Sequence, residues 1–128
     1  MAMVPEVKTL LLDALRSGEY QKTIRRLARL DESGNMSYCC LGVLTDLAAK
    51  KGICNPLVPH PDLDNNLGVR YEHTMEDGYK YSSIATCYLP KTVEKWSGLT
   101  EADQTQLAQI NDSNRTFDKV IEFLDINL

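Results

Sequence analysis

The sequence predicts one α+β domain, mainly helical, with about five short helices and one or two small β-hairpins. Three observations carry that expectation. Apolar residues recur at helical spacing in several separate stretches. Two other stretches drop that period and place turn residues between short runs of strand formers. The third is size: 128 residues, 43% hydrophobic and 25% charged, suit a single domain over 1–128 that buries roughly two-thirds of its unfolded surface.

Pro5 in a first turn, followed by Val7, Leu10, Leu11, Ala14 and Leu15, marks an amphipathic helix that ends at Gly18. Residues 19–30 admit two readings. Tyr20, Ile24, Leu27 and Leu30 fit a helical stripe, whereas Asp31-Glu32-Ser33-Gly34-Asn35 ahead of Met36-Ser37-Tyr38 fits a turn between two short strands; the hairpin is the preferred expectation. From Cys39 or Cys40 to Lys51, the residues Cys40, Leu41, Leu44, Leu47 and Ala48 form a broad apolar helix, with Gly52 as its stop. Gly42 inside it costs about 1 kcal/mol against Ala, which points to close approach by a neighbouring element.

Residues 53–68 hold Pro56, Pro59 and Pro61 and read as a long loop. Residues 69–84 read as a hairpin turning at Asp77-Gly78. Leu89-Pro90 opens a short helix through Val93 and Trp96 to Gly98, and Thr100 with Asp103 forms a near capping box ahead of Leu107 and Ile110. After Asn111-Asp112-Ser113-Asn114, Thr116 caps a last helix. Its Phe117, Val120, Ile121 and Leu124 are expected to lie on the 40–51 helix.

No apolar run reaches the ~20 residues that span a bilayer, and the N-terminus lacks the order of a signal peptide. Cytoplasmic residence and reduced cysteines are therefore expected. Cys39, Cys40, Cys54 and Cys87 show no C-x-x-C spacing, and they read first as small buried hydrophobes. The net charge of −4 argues against general nucleic-acid binding, which rests on phosphate neutralisation.

Several chemistries find some of their residue types in the sequence. A thiol enzyme could use Cys39 or Cys40 at a helix N-terminus with His73 as base, but no spacing singles out that pair. Cys54, His60, His73 and Cys87 have metal-ligating side chains, at spacings foreign to zinc sites. Asp62 with Asp64 and Glu76 with Asp77 are paired carboxylates in turn-like sequence. Neither phosphate-loop glycines nor a nucleophile elbow occurs. No metal and no cofactor is expected.

The strongest constellation is Tyr20, Gln21, Lys22, Arg25, Arg26 and Arg29, with Tyr38 at the end of the same segment. Arg16, Lys22, Arg25, Arg26 and Arg29 are opposed within it only by Glu19. Guanidinium forks grip phosphate and tyrosines stack on bases, so Tyr20, Gln21, Arg25, Arg26, Arg29 and Tyr38 are the expected ligand-binding residues. Either reading of the segment puts Arg25 and Arg29 on one face. The competing reading is a solvated face pairing with Asp31 or Glu32.

The strings Leu15-Arg16-Ser17-Gly18-Glu19-Tyr20-Gln21, Tyr38-Cys39-Cys40-Leu41-Gly42-Val43-Leu44-Thr45-Asp46-Leu47, Tyr88-Leu89-Pro90 with Trp96, and Leu107-Ala108-Gln109-Ile110-Asn111-Asp112 with Phe117 and Ile121 resemble a family of small tailed-phage and prophage proteins. The likeness covers the chain apart from residues 53–83. It departs from the family's pattern at Thr45, where Cys is frequent, and near Asn114, where Gly is expected. The resemblance implies a phage origin and no reaction. Small phage proteins acting inside the host are enriched in inhibitors of its defences. The expectation is thus a non-enzymatic, anti-defence binding protein in the host cytoplasm. Its partner is a host defence protein or a small anionic nucleotide messenger, with homo-oligomer formation a further expectation. The alternative is the cysteine-dependent enzyme.

Overall fold

The computed structural model describes residues 3–59, 66–74, 76–78, 80–85 and 87–128. Helix α1 (Pro5–Arg16) starts on a proline, carries Glu6 at its positive end, and buries Val7, Leu11, Leu12 and Leu15. Strands β1 (Gln21–Lys22), β2 (Ala28–Leu30) and β3 (Met36–Tyr38) follow. The 19–30 segment is thus not a helix: β2 and β3 pair antiparallel. Asp31 Oδ1 closes their turn by accepting from the N–H groups of Ser33 at 2.9 Å and Asn35 at 2.8 Å. Strand β1 returns to lie parallel to β3, which makes the sheet mixed.

Helix α2 (Cys40–Lys50) is the centre of the molecule. Cys40, Leu41, Gly42, Val43, Leu44, Thr45 and Ala48 are all buried, because α1, α3, α4, β3 and β4 surround it. The close approach expected at Gly42 is present. A Cβ built there would lie 1.7 Å from the Leu27 carbonyl oxygen, and that same oxygen accepts from the Cys39 N–H at 3.1 Å. Glycine lets the 27–28 backbone lie directly on the first turn of the helix.

The proline-rich segment is not loop throughout. Strand β4 (Leu57–Pro59) forms inside it, and β5 (Asn66–Thr74) begins before its expected end. Pro59 is tolerated because β4 ends the strand order β1-β3-β2-β5-β4, so one of its edges has no strand partner among the described residues. Strand β6 (Lys80–Ala85) pairs antiparallel with β5, with Gly78 at φ +88° in the turn. This is the expected 69–84 hairpin.

Helix α3 (Lys91–Ser97) ends on Gly98 at φ +78°. Helix α4 (Glu101–Asp112) opens with a complete capping box: Thr100 Oγ1 accepts from Asp103 N, and Asp103 Oδ2 from Thr100 N. It continues two residues past Ile110, so Asn111 and Asp112 are helical. Helix α5 (Asp118–Asn127) has Phe117 as its N-cap; Thr116 lies one residue earlier and its hydroxyl accepts from Asp118 N at 3.4 Å. Phe117, Val120 and Leu124 are buried as expected, while Ile121 is half-buried at the rim. The partner differs from the expectation: α5 lies on α1 and α4. A helical stripe identifies a buried face without identifying what covers it.

Candidate functional site

The expected ligand-binding residues separate into three places. Tyr20 and Tyr38 meet edge to face, with ring centroids 5.0 Å apart. Tyr20 Oη donates to Asp46 Oδ2 at 2.5 Å and accepts from Lys50 Nζ at 3.3 Å. Lys50 also pairs with Asp46 at 3.2 Å. Burial, reinforced by the Asp46 bond, raises the Tyr20 phenol to about 12. The Tyr20 hydroxyl thereby fastens the chain entering β1 to α2, whereas the Tyr38 hydroxyl donates to Met36 Sδ on its own strand at 3.6 Å.

Gln21 and Arg29 share a row across the sheet, since both Gln21 and Arg29 lie at the register position of Ser37. Arg29 is half-buried, and its Nε has no hydrogen-bond partner among the described residues.

Arg25 and Arg26 go elsewhere. Arg25 adopts φ +68°, a left-handed conformation costing a non-glycine residue about 1–2 kcal/mol. Both of its peptide groups are held. Its N–H donates to Asp112 Oδ1 at 2.9 Å. Its carbonyl accepts from Arg26 Nη1 at 3.0 Å and from Cys87 Sγ at 3.4 Å. Beneath it, Asn111 is fully buried: its Oδ1 accepts from Cys40 N at 3.1 Å, and its Nδ2 donates to Thr23 O at 2.9 Å and Asp112 Oδ1 at 3.2 Å. One amide thereby locks together the end of α4, the start of α2 and the bend after β1. Strain held this firmly is characteristic of functional sites.

The turn opens onto a cavity of about 340 Å³ lined by Arg25, Arg26, Cys39, Cys87, Tyr88, Ala108 and Asp112. Arg26 Nη1 also donates to Cys87 Sγ at 3.2 Å, while its Nε is buried with no partner among the described residues. Tyr88 stands 48% exposed at the wall. Two guanidinium groups beside an exposed aromatic face are the components needed to hold a phosphate and stack a planar ring. Asp112 is the one carboxylate among the described lining residues, and its Oδ1 is engaged by two N–H donors, so positive charge prevails. Sequence reasoning offers Cys87 only as a metal-ligating candidate and does not single out Tyr88, Ala108 or Asp112 as site residues, because all four come from sequence far from the basic segment.

The thiols are poorly suited to nucleophilic work. Cys39 caps α2, its Sγ accepting from Gly42 N at 3.3 Å, and burial raises it to about 11. Burial raises Cys40 well above the ordinary thiol value. Cys54 Sγ donates to Thr45 O at 3.6 Å. No disulfide links Cys39, Cys40, Cys54 and Cys87 to one another. His60, Asp62 and Asp64 lie outside the described residues, as does the His73 side chain; Glu76 and Asp77 are exposed. Among the described residues no three His, Cys, Asp or Glu side chains gather to hold a metal ion.

A pH dependence follows from Cys39. A folded thiol titrating near 11 against 9.0 in the ordinary state favours folding fully below pH ~9, and that contribution is lost as pH climbs towards 11. Cys39 alone should therefore contribute roughly 2–3 kcal/mol to the fall of the urea midpoint across this window, and the fall should be smaller by that share in Cys39→Ala. Equal slopes in the two proteins would show that the thiol is not buried.

No helix among the described residues is long and apolar enough to cross a membrane. No curated protein and no solved structure matches the chain. One family does match, over residues 3–128, and its domain contains every residue of the Arg25–Asp112 turn and its cavity; the chain belongs to the family described as a domain of unknown function, DUF8296.

Proposed function

We propose that this chain is a phage-encoded, non-enzymatic binding protein that acts in the host cytoplasm and counters a host function by sequestering a small anionic nucleotide. The observation that carries the reading is the convergence of Arg25, Arg26 and the exposed Tyr88 on one cavity of about 340 Å³. The phosphate would meet the guanidinium forks, with the base against the tyrosine ring. The phage origin rests on the sequence strings around Tyr38-Cys39-Cys40-Leu41-Gly42. The thiol-enzyme alternative loses support because burial keeps Cys39 and Cys40 protonated at neutral pH.

Arg25→Gly gives a test that separates binding from folding. Glycine accepts φ +68° without strain, so the turn survives while the cation is lost. Tyr88→Ala removes an exposed ring. Both variants should melt near wild type, yet each should weaken nucleotide binding about tenfold or more and lose activity in a host-infection assay. Added salt should weaken binding, less steeply than for a protein contacting many phosphates. Folded Arg25→Gly protein with full activity would overturn the reading. A host protein co-purifying equally with wild type and Arg25→Gly would replace it with a protein-binding inhibitor.

A further inference from the structure

A second cavity, of about 430 Å³, lies on the far side of the Arg25 turn and is lined by residues that include Lys22, Thr23, Asp112, Ser113 and Arg115. Asp112 lines both cavities, so they are neighbours across the 23–25 bend. Lys22 and Arg25 are three residues apart, which limits their Cα separation to about 11 Å. Lys22 and Arg115 therefore repeat on one side what Arg25 and Arg26 provide on the other.

The charge balance is uneven. Lys22, Arg25, Arg26 and Arg115 line the two cavities together with Asp112, which is the one carboxylate among the described residues lining either. Burial lowers the Lys22 ammonium below the ordinary lysine value, and the nearby Asp112 charge only partly opposes this. The Arg26 Nε is buried and offers a hydrogen no described residue accepts. Lys22 and Arg26 are half-buried while Arg25 and Arg115 are exposed; cations that outnumber their counter-charges, two of them partly desolvated, are stabilised when an anion arrives.

We infer that the ligand carries two separate anionic groups, as a dinucleotide does, and lies across the 23–25 bend with one anion between Arg25 and Arg26 and the other between Lys22 and Arg115. This rests on the nucleotide-binding reading and narrows it. The bend held by Asn111 and Asp112 sets the spacing of the two anion positions, so the ligand is selected by the separation of its charges. A mononucleotide fills one position only.

The test uses the intact protein and two probe pools: nucleoside 5′-monophosphates, and 5′-phosphorylated dinucleotides. Retained species are measured by equilibrium dialysis and mass spectrometry. Wild type should hold dinucleotides about tenfold or more tightly than monophosphates, since one further charge-assisted contact is worth that much. Lys22→Ala with Arg115→Ala should erase that preference while monophosphate binding changes less than about threefold. Arg25→Gly should weaken both pools. Equal binding of the two pools overturns the two-anion inference and leaves the Arg25 site standing. So does a Lys22, Arg115 double variant that is silent, or one that weakens both pools equally. Retention of neither pool removes the nucleotide reading itself, and this inference with it. Circular dichroism melts confirm that each variant is folded; were the double variant unfolded, Arg115→Ala alone, at an exposed position, gives the same comparison.

Discussion

Gly42→Ala should destabilise the protein by about 3 kcal/mol or more, at the upper end of what overpacking costs. The added methyl would sit 1.7 Å from the Leu27 carbonyl oxygen and 2.6 Å from its carbon. Neither atom belongs to a side chain that can swing away. The Leu27 carbonyl is also held by the Cys39 N–H, so moving it sacrifices the bond that seats the start of α2 against the chain entering β2. The sign of the effect is diagnostic. Helix propensity alone makes Gly→Ala stabilising by up to ~1 kcal/mol, as it would be on an exposed helix face. A urea midpoint that rises in Gly42→Ala would show that the Leu27 backbone does not lie against α2 there.

Phe117→Ala is the second large effect, at roughly 3–5 kcal/mol. That is a substantial share of the 5–15 kcal/mol that holds a small domain folded. Phe117 is 7% exposed and joins Val120 and Leu124 in the core that α5 closes against α1 and α4. Ile121, Phe123 and Leu128 pack beside them as partly buried side chains. The Arg16–Asp125 ion pair between α1 and α5 is half-exposed at both ends, and such pairs contribute under ~1 kcal/mol. The melting temperature should drop roughly 10–20 °C. A variant melting within a degree or two of wild type would place the ring on the surface.

The sequence carried the local part of this fold well. The stripe ahead of Gly18, the Asp31–Asn35 turn, the Asp77-Gly78 turn and the Thr100–Asp103 capping box each work through neighbours a few residues away, and each formed as its residue types require. Gly42 was legible too, because a glycine inside an apolar helix needs a steric reason. What could not be read was the division of the basic segment. Tyr20 and Arg25 are five residues apart, yet one turns to α2 and the other to the end of α4, because the chain reverses at a left-handed arginine. No glycine advertises that reversal. It is held by Asp112 and Asn111, which lie far along the chain from it. For the same reason Tyr88 and Cys87 could not be added to the site before the fold brought them there. The strand at Leu57–Pro59 was hidden by prolines that only an edge position tolerates.

Native mass spectrometry of the protein purified under mild conditions from cells in which it is active tests the central claim most directly. Wild type should carry a phosphate-bearing small molecule that is released intact on heat denaturation and is absent from Arg25→Gly protein that melts normally. Wild-type protein that carries no such species, or Arg25→Gly protein that carries it equally well, would contradict the claim that the Arg25–Arg26 cavity is an anion-binding site.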